Sequence, residues 1–144
     1  MRIKPIADAL IRKYKTRDPF ELVECMNGFV VFAPLTGVRG FYQYFQRNNI
    51  IYIDESLSEH ERRLVCAHEL GHMIIHRKTN SYRISTYTSL NTVKYEKEAN
   101  LFAMYLLIPD DDLRECADRE FTVEQISRLY GYAETLIKLR LQED

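Results

Sequence analysis

The sequence predicts an α+β fold: a small, mostly antiparallel three-stranded sheet packed against two helices that carry the polar chemistry, with a short helical C-terminal tail. Three observations predict it. Capped amphipathic segments come before any strand-like run; three β-branched and aromatic runs, separated by turn residues, lie between positions 29 and 54; and capped, helix-period segments dominate from Ser58 onward.

The first helix is expected to start near Pro5, a favoured first-turn residue, and to present Ile6, Leu10, Ile11 and Tyr14 on one face. "DPFE" at 18–21 joins a capping Asp, a first-turn Pro and a Glu three residues later, so a second short helix should run to Met26 and stop at "NG". "FVVF" (29–32), "RGFYQYFQ" (39–46) and "IIYID" (50–54) read as the strands. Ser58 with Glu61 forms a capping box that opens a helix reaching about His76. The stretch "RKTNSYRISTYTSLN" has no helical period and reads as a long loop with room for a short strand. Another helix begins near Thr92 and ends by Ile108, because Pro109 cannot continue it. The remainder offers "DDLRECADR", then "TVEQISRLY" with a Thr122/Gln125 capping box, a break at Gly131, and "YAETLIKLRL".

The chain of 144 residues is long enough for one core of useful size and too short for two full-sized ones. With 46% hydrophobic and 28% charged residues it has an ordinary globular balance, which favours neither disorder nor a membrane class. The apolar run from Leu101 to Ile108 falls far short of the roughly 20 residues that cross a bilayer. "MRIKPIADALIRKYK" has basic residues and Asp8 among its apolar positions, unlike a secretory leader, so a cytoplasmic protein is expected. Cys25, Cys66 and Cys116 are odd in number and widely spaced, which suggests reduced, mostly buried thiols. A net charge of −1 predicts no general attraction to nucleic acid.

"CAHELGHMIIH" at 66–76 carries the chemistry. On a helix, His68 and His72 stack on one face about 6 Å apart, so two imidazole nitrogens can converge on one zinc ion. Glu69, rotated by about 100°, sits beside that ion, where it can take a proton from water without becoming a ligand. Chance would produce HExxH in a chain of this composition on the order of 0.01 times, which makes coincidence a poor explanation. Gly71 costs the helix up to about 1 kcal/mol relative to Ala, and the absent side chain would let the sheet or the second helix approach closely.

A peptidase site needs a third protein ligand and one open position. His76 lies about 12 Å from His68 along the axis, too far for one ion, and is assigned to the helix C-terminus, where the dipole favours it. In "YEKEANLFAMYLLIP", Glu96 and Asn100 are four apart on one face: one can bind metal while the other hydrogen-bonds a ligand histidine. Glu98, about 200° around from Glu96, should point elsewhere, and Ala99, Phe102, Ala103 and Leu106 form the core stripe.

These residues, His68-Glu69-Leu70-Gly71-His72 and then Glu96, Ala99, Asn100, Phe102, Ala103, Leu106, Leu107 and Pro109, resemble the ImmA/IrrE family of metallopeptidases over roughly residues 20–110. The resemblance implies zincin-type active-site helices, with His68, His72 and Glu96 as ligands of Zn2+, Glu69 as general base, and Asn100 in contact with a ligand histidine. It implies a zinc metallopeptidase core over 1–109 and an HTH-like helical extension over 110–144 packed on it. It also implies a cytoplasmic, site-specific endopeptidase whose protein substrate is a helix-turn-helix repressor, so that cleavage derepresses phage or mobile-element genes. An oxyanion donor is expected among the tyrosines, of which Tyr42, Tyr44, Tyr87 and Tyr95 are candidates. The aromatic strand at 39–46 offers an edge for an extended substrate segment.

The competing reading is a DNA-binding or repressor-docking protein whose zinc site is structural or catalytically silent. "TVEQISRLYGYAETLIKLRL" has the helix, turn and helix that this needs. The charges over 122–144, Arg128, Lys138 and Arg140 against Glu124, Glu134, Glu143 and Asp144, suit phosphate contact poorly, so direct DNA binding is not expected.

Overall fold

The computed structural model describes residues 2–77 and 89–142, and its elements follow the order read from the sequence. Helix α1 (Lys4–Tyr14) holds Pro5 in its first turn and ends at Lys15 in the left-handed region. Helix α2 (Pro19–Cys25) is capped by Asp18, whose carboxylate accepts from the Phe20 amide at 2.9 Å. The capping partner is that amide alone, since Glu21 turns instead to Thr16 at 3.3 Å.

Strands β1 (Gly28–Ala33), β2 (Gly40–Phe45) and β3 (Asn48–Asp54) form the α+β sheet in the order β1-β3-β2. β2 and β3 are antiparallel, joined by a tight turn at Gln46 and Arg47, both with positive φ. β1 and β3 are parallel, so the sheet is mixed rather than mostly antiparallel. The cause lies in the connection 34–39, which is long enough to cross the end of β3 and lets β3 insert between the first two strands. Ile51 and Ile53 of the central strand point inward and are fully buried.

Helix α3 (Glu59–Gly71) has the expected capping box, with the Glu61 amide donating to Ser58 Oγ at 3.2 Å and the Ser58 amide to Glu61 Oε1 at 3.1 Å. It runs directly into one π-helical turn, His72–His76. The loop expected at 77–91 lies largely outside the described residues.

Helix α4 (Ser89–Leu107) is the central element. Beyond the stripe read from the sequence, Leu101, Met104 and Tyr105 are buried too, because α1 and the last helix close the side away from α3. Its C-terminal carbonyls are satisfied by arginines: Arg17 donates to Tyr105 O and Leu106 O at 3.0 and 3.1 Å, and Arg140 to Ile108 O at 3.0 Å.

Helices α5 (Asp110–Asp118), α6 (Val123–Tyr130) and α7 (Glu134–Gln142) complete the described chain. α6 has the Thr122/Gln125 capping box and stops at Gly131 with φ 74°. α7 lies against α4 with Ile137 and Arg140 buried, and His60 of α3 stacks on Tyr132 and approaches Gly131 O at 3.1 Å. All three cysteines are free thiols; Cys66 and Cys116 are buried and Cys25 is exposed. No helix among the described residues is long and apolar enough to cross a membrane.

Candidate metal centre

Gly71 and Gly40 set how closely the elements around the site can approach. A Cβ on Gly71 would stand 3.2 Å from Ala99 Cα and 3.3 Å from Ala99 O, so α4 packs on α3 at this point. The second helix, one of the two neighbours read from the sequence, is therefore what the missing side chain admits. A Cβ on Gly40 would stand 2.5 Å from Val65 Cγ1 and 2.7 Å from Tyr52 O, so β2 also lies close on α3.

This packing brings α3 and α4 face to face at the polar residues. His68 Nε2 lies 2.8 Å from Glu96 Oε2, and His72 Nε2 lies 3.0 Å from Glu96 Oε1. The outer nitrogens are also engaged: His68 Nδ1 is 2.7 Å from Asn100 Oδ1, and His72 Nδ1 is 2.8 Å from His76 Nδ1. His76 Nε2 then meets Glu98 Oε1 at 3.0 Å.

One assignment of protons satisfies this chain with neutral imidazoles. The Glu98 carboxylate and the Asn100 carbonyl accept only, so His76 donates through Nε2 and His68 through Nδ1. Neutral His76 then accepts at Nδ1 from His72 Nδ1–H. Both HExxH histidines are left with an Nε2 lone pair directed at the Glu96 carboxylate. Three sets of lone pairs converging at hydrogen-bond distance repel one another unless a cation lies among them, and imidazole with carboxylate suits zinc. The separations of 2.8 and 3.0 Å are close to the about 3.3 Å edge of a tetrahedron with ligands about 2 Å from its centre.

Burial is graded across the site. His72 is 1% exposed, and burial lowers its pKa against the opposing pull of Glu96. Burial acts in the same direction on His68, but Glu96, Glu69 and Asn100 together outweigh it and hold that imidazole above its ordinary range. Glu69 is 8% exposed, and burial pushes its carboxyl up to about 7, while a hydrogen bond from the Tyr42 backbone amide works the other way. Glu96 is held well below the usual carboxylate range: burial opposes this, and the close approach of the His68 and His72 rings prevails.

His68, Glu69 and His72 also bring one donor atom each to within 4.8 Å of one another, a second way of grouping three potential ligands. Glu69 Oε2 is 3.9 Å from His68 Nε2, farther than either Glu96 contact. The geometry therefore favours Glu96 as the nearer carboxylate and leaves Glu69 beside the centre.

His76 ends the π-helical turn, as expected, and Glu98 points elsewhere than Glu96; what the spacing does not show is that His76 is buried, 4% exposed, and that Glu98 meets it. The signal was an HxxxH spacing at 72–76 with an acid on the facing helix; what periodicity within one helix omits is the neighbour that supplies the partner. Of the tyrosine candidates, Tyr42 donates its hydroxyl to Asn49 at 2.6 Å, Tyr95 packs on the His76 ring at 4.4 Å, and Tyr44 lies under Arg77 at 4.9 Å. Tyr87 is outside the described residues.

The chain matches the IrrE N-terminal-like domain, a peptidase family, over residues 23–142, which takes in the C-terminal helices as well as the HExxH region. It is 39% identical over 139 residues to "Uncharacterized immunity region protein 2" of Bacillus phage phi105, covering 96% of this chain and 88% of that protein. It is 26% identical over 145 residues to "Metallopeptidase ImmA" of Bacillus subtilis (strain 168), covering 98% and 85%. Among solved structures it is similar to a Mycobacterium tuberculosis transcriptional regulator, with a TM-score of 0.66 at 17% identity, covering 97% of this chain and 55% of that one; this likeness concerns the fold. The chain belongs to the ImmA/IrrE metallopeptidase family.

Proposed function

We propose that the chain is a zinc endopeptidase that cuts a helix-turn-helix repressor at one site and so derepresses phage or mobile-element genes. The observation that carries the metal reading is the convergence of His68 Nε2 and His72 Nε2 on the two oxygens of Glu96. His68, His72 and Glu96 are the proposed ligands, and zinc held there supplies Lewis acidity that acidifies water and polarises a peptide carbonyl.

The chain's own residues do the remaining work. Glu69, buried and oriented by the Tyr42 amide, receives the proton of the attacking water and delivers it to the departing amide nitrogen. Asn100 and His76 hold the ligand rings through their Nδ1 atoms. β2 is an edge strand, and its pairing leaves the backbone groups of Gly40, Tyr42 and Tyr44 on the side away from β3. An extended substrate segment can add there, with Tyr42 N–H reserved for Glu69.

A repressor substrate is supported by the phage immunity-region relative, and the edge strand β2 suits an extended protein segment. A cytoplasmic location accords with such a substrate. The test is incubation of the zinc-loaded chain with the helix-turn-helix repressor encoded nearest its gene. One internal cut, abolished by Glu69→Gln, is expected. A repressor that binds and stays whole would favour sequestration by a catalytically silent site.

A further inference from the structure

Helix α3 and the metal centre lie on one face of the sheet, the face toward which Ile51 and Ile53 of the central strand point. Ile50 and Tyr52 alternate with them and point the other way, and their register partners go with them: Phe29 and Val31 of β1, Gln43 and Phe41 of β2. Phe45, two residues beyond Gln43, shares that outer face. Phe41 stacks on Tyr52 at 4.5 Å and the Tyr52 hydroxyl donates to Gln43 Oε1 at 3.2 Å, as side chains on a common face should.

This outer face carries no charge and is open. Phe29 is 55% exposed, Phe45 53%, Val31 39% and Phe41 37%. At about 200 Å2 for a whole ring side chain, the three phenylalanines alone leave roughly 300 Å2 in water, and the other four residues bring the face to roughly 400–500 Å2. A contiguous apolar patch of that size marks an interaction surface rather than scattered surface residues. With no charge on it, the face has nothing by which to select a charged partner.

The register makes the face complementary to itself. Phe29 on the β1 side is level with Gln43 on the β2 side, and so lies midway between Phe41 and Phe45 along the strands. Val31 is level with Phe41. Turning a second copy by half a turn about an axis along β3 sets β1 of each chain over β2 of the other. Each Phe29 then nests between Phe41 and Phe45 of the other copy, and each small Val31 stands opposite a large Phe41, the interdigitation that sheets packed face to face about 10 Å apart require. Two such faces bury roughly 800–1,000 Å2 together, which suits a weak, reversible pair rather than an obligate one.

We propose that the outer face of the sheet is a self-association surface, on which two copies of the chain pair about a twofold axis along β3. The pairing is independent of the metal reading. It leaves both metal centres on the outsides of the dimer, since Glu69 lies on the α3 side of β2, where its Cγ is 3.8 Å from the Cβ position of Gly40.

The test is sedimentation equilibrium of the full chain from micromolar to submillimolar concentration, where a monomer–dimer equilibrium is expected. Phe29→Glu and Phe45→Lys each place two unpaired charges in the homodimer and are expected to weaken association at least about tenfold. Mixed in equal amounts, the two variants form a dimer in which Glu at 29 of one copy meets Lys at 45 of the other, and association is expected to recover to within about threefold of the parent. That recovery also shows that both variants are folded. Leu129→Lys, a charge at an exposed leucine of α6 away from the sheet, should leave association unchanged. A monomer at every concentration would overturn the second copy as occupant, and a dimer that survives Phe29→Glu and Phe45→Lys would overturn the face. Weakening by both variants without recovery on mixing would overturn the twofold arrangement.

Discussion

His72 Nδ1 lies 2.8 Å from His76 Nδ1, and His76 in turn meets Glu98 at 3.0 Å, so a buried imidazole and a carboxylate fix the tautomer of a proposed zinc ligand from behind. Removing either support leaves His72 free to turn its lone pair elsewhere. His76→Phe and Glu98→Ala are therefore each expected to weaken zinc binding about 10- to 100-fold. Glu98→Gln, which keeps an accepting oxygen, should lose less than Glu98→Ala. Competition with a zinc-sensitive chelating dye measures all three, and unchanged affinity in His76→Phe would show that the chain of imidazoles does not position the ligand.

Gly71 sets propensity against packing. Alanine is better in a helix by up to about 1 kcal/mol, yet its Cβ would meet the backbone of Ala99 at 3.2 and 3.3 Å. Backbone cannot rotate away as a side chain can, so α4 would have to shift. Gly71→Ala is expected to be destabilising by roughly 1–3 kcal/mol and to lower zinc affinity, because α4 carries Glu96 and Asn100. Urea unfolding of the metal-free protein separates the two effects; a variant as stable as the parent would contradict the packing argument.

Asp110 joins the first and last helices by accepting from Lys4 Nζ and from Arg140, each at 2.6 Å. The hydrogen bond from Lys4, and then that from Arg140, hold its carboxyl below the ordinary range, against the opposing effect of burial. A depressed folded-state pKa stabilises the fold above the unfolded value of about 3.9, and that contribution is lost as pH falls through the lower folded value. Asp110→Asn should therefore be less stable than the parent at about pH 7, and the gap should shrink below about pH 4. Urea midpoints across this range measure it; a gap that widens on acidification would reverse the sign.

The general base is separable from the ligands. Glu69→Gln is expected to keep zinc and fold while slowing cleavage by about 10²- to 10⁴-fold. Zinc content and repressor cleavage, measured on the same preparation, distinguish loss of the base from loss of the metal.

The capping boxes at Ser58 and Thr122, the strand runs and Pro109 were legible because local chemistry determines them within a few residues. HExxH was legible for the same reason, since the period of one helix aligns His68 with His72. Which of Glu96 and Asn100 faces the Nε2 atoms depends on how two helices cross, and there the family resemblance supplied what spacing left open. The parallel pairing of β1 with β3 depends on a strand inserted later in the chain. The His76–Glu98 link and the arginines on the end of α4 are likewise contacts between distant segments, to which periodicity along one element is blind.

The most direct test of the central claim is zinc per chain after dialysis against trace zinc, measured for the parent, Glu96→Ala and Glu69→Gln together. The account predicts about one zinc in the parent and in Glu69→Gln, and clear loss in Glu96→Ala. Zinc retained by Glu96→Ala but lost from Glu69→Gln would make Glu69 the third ligand and remove the proposed base, and no zinc in the parent would contradict the metal centre itself.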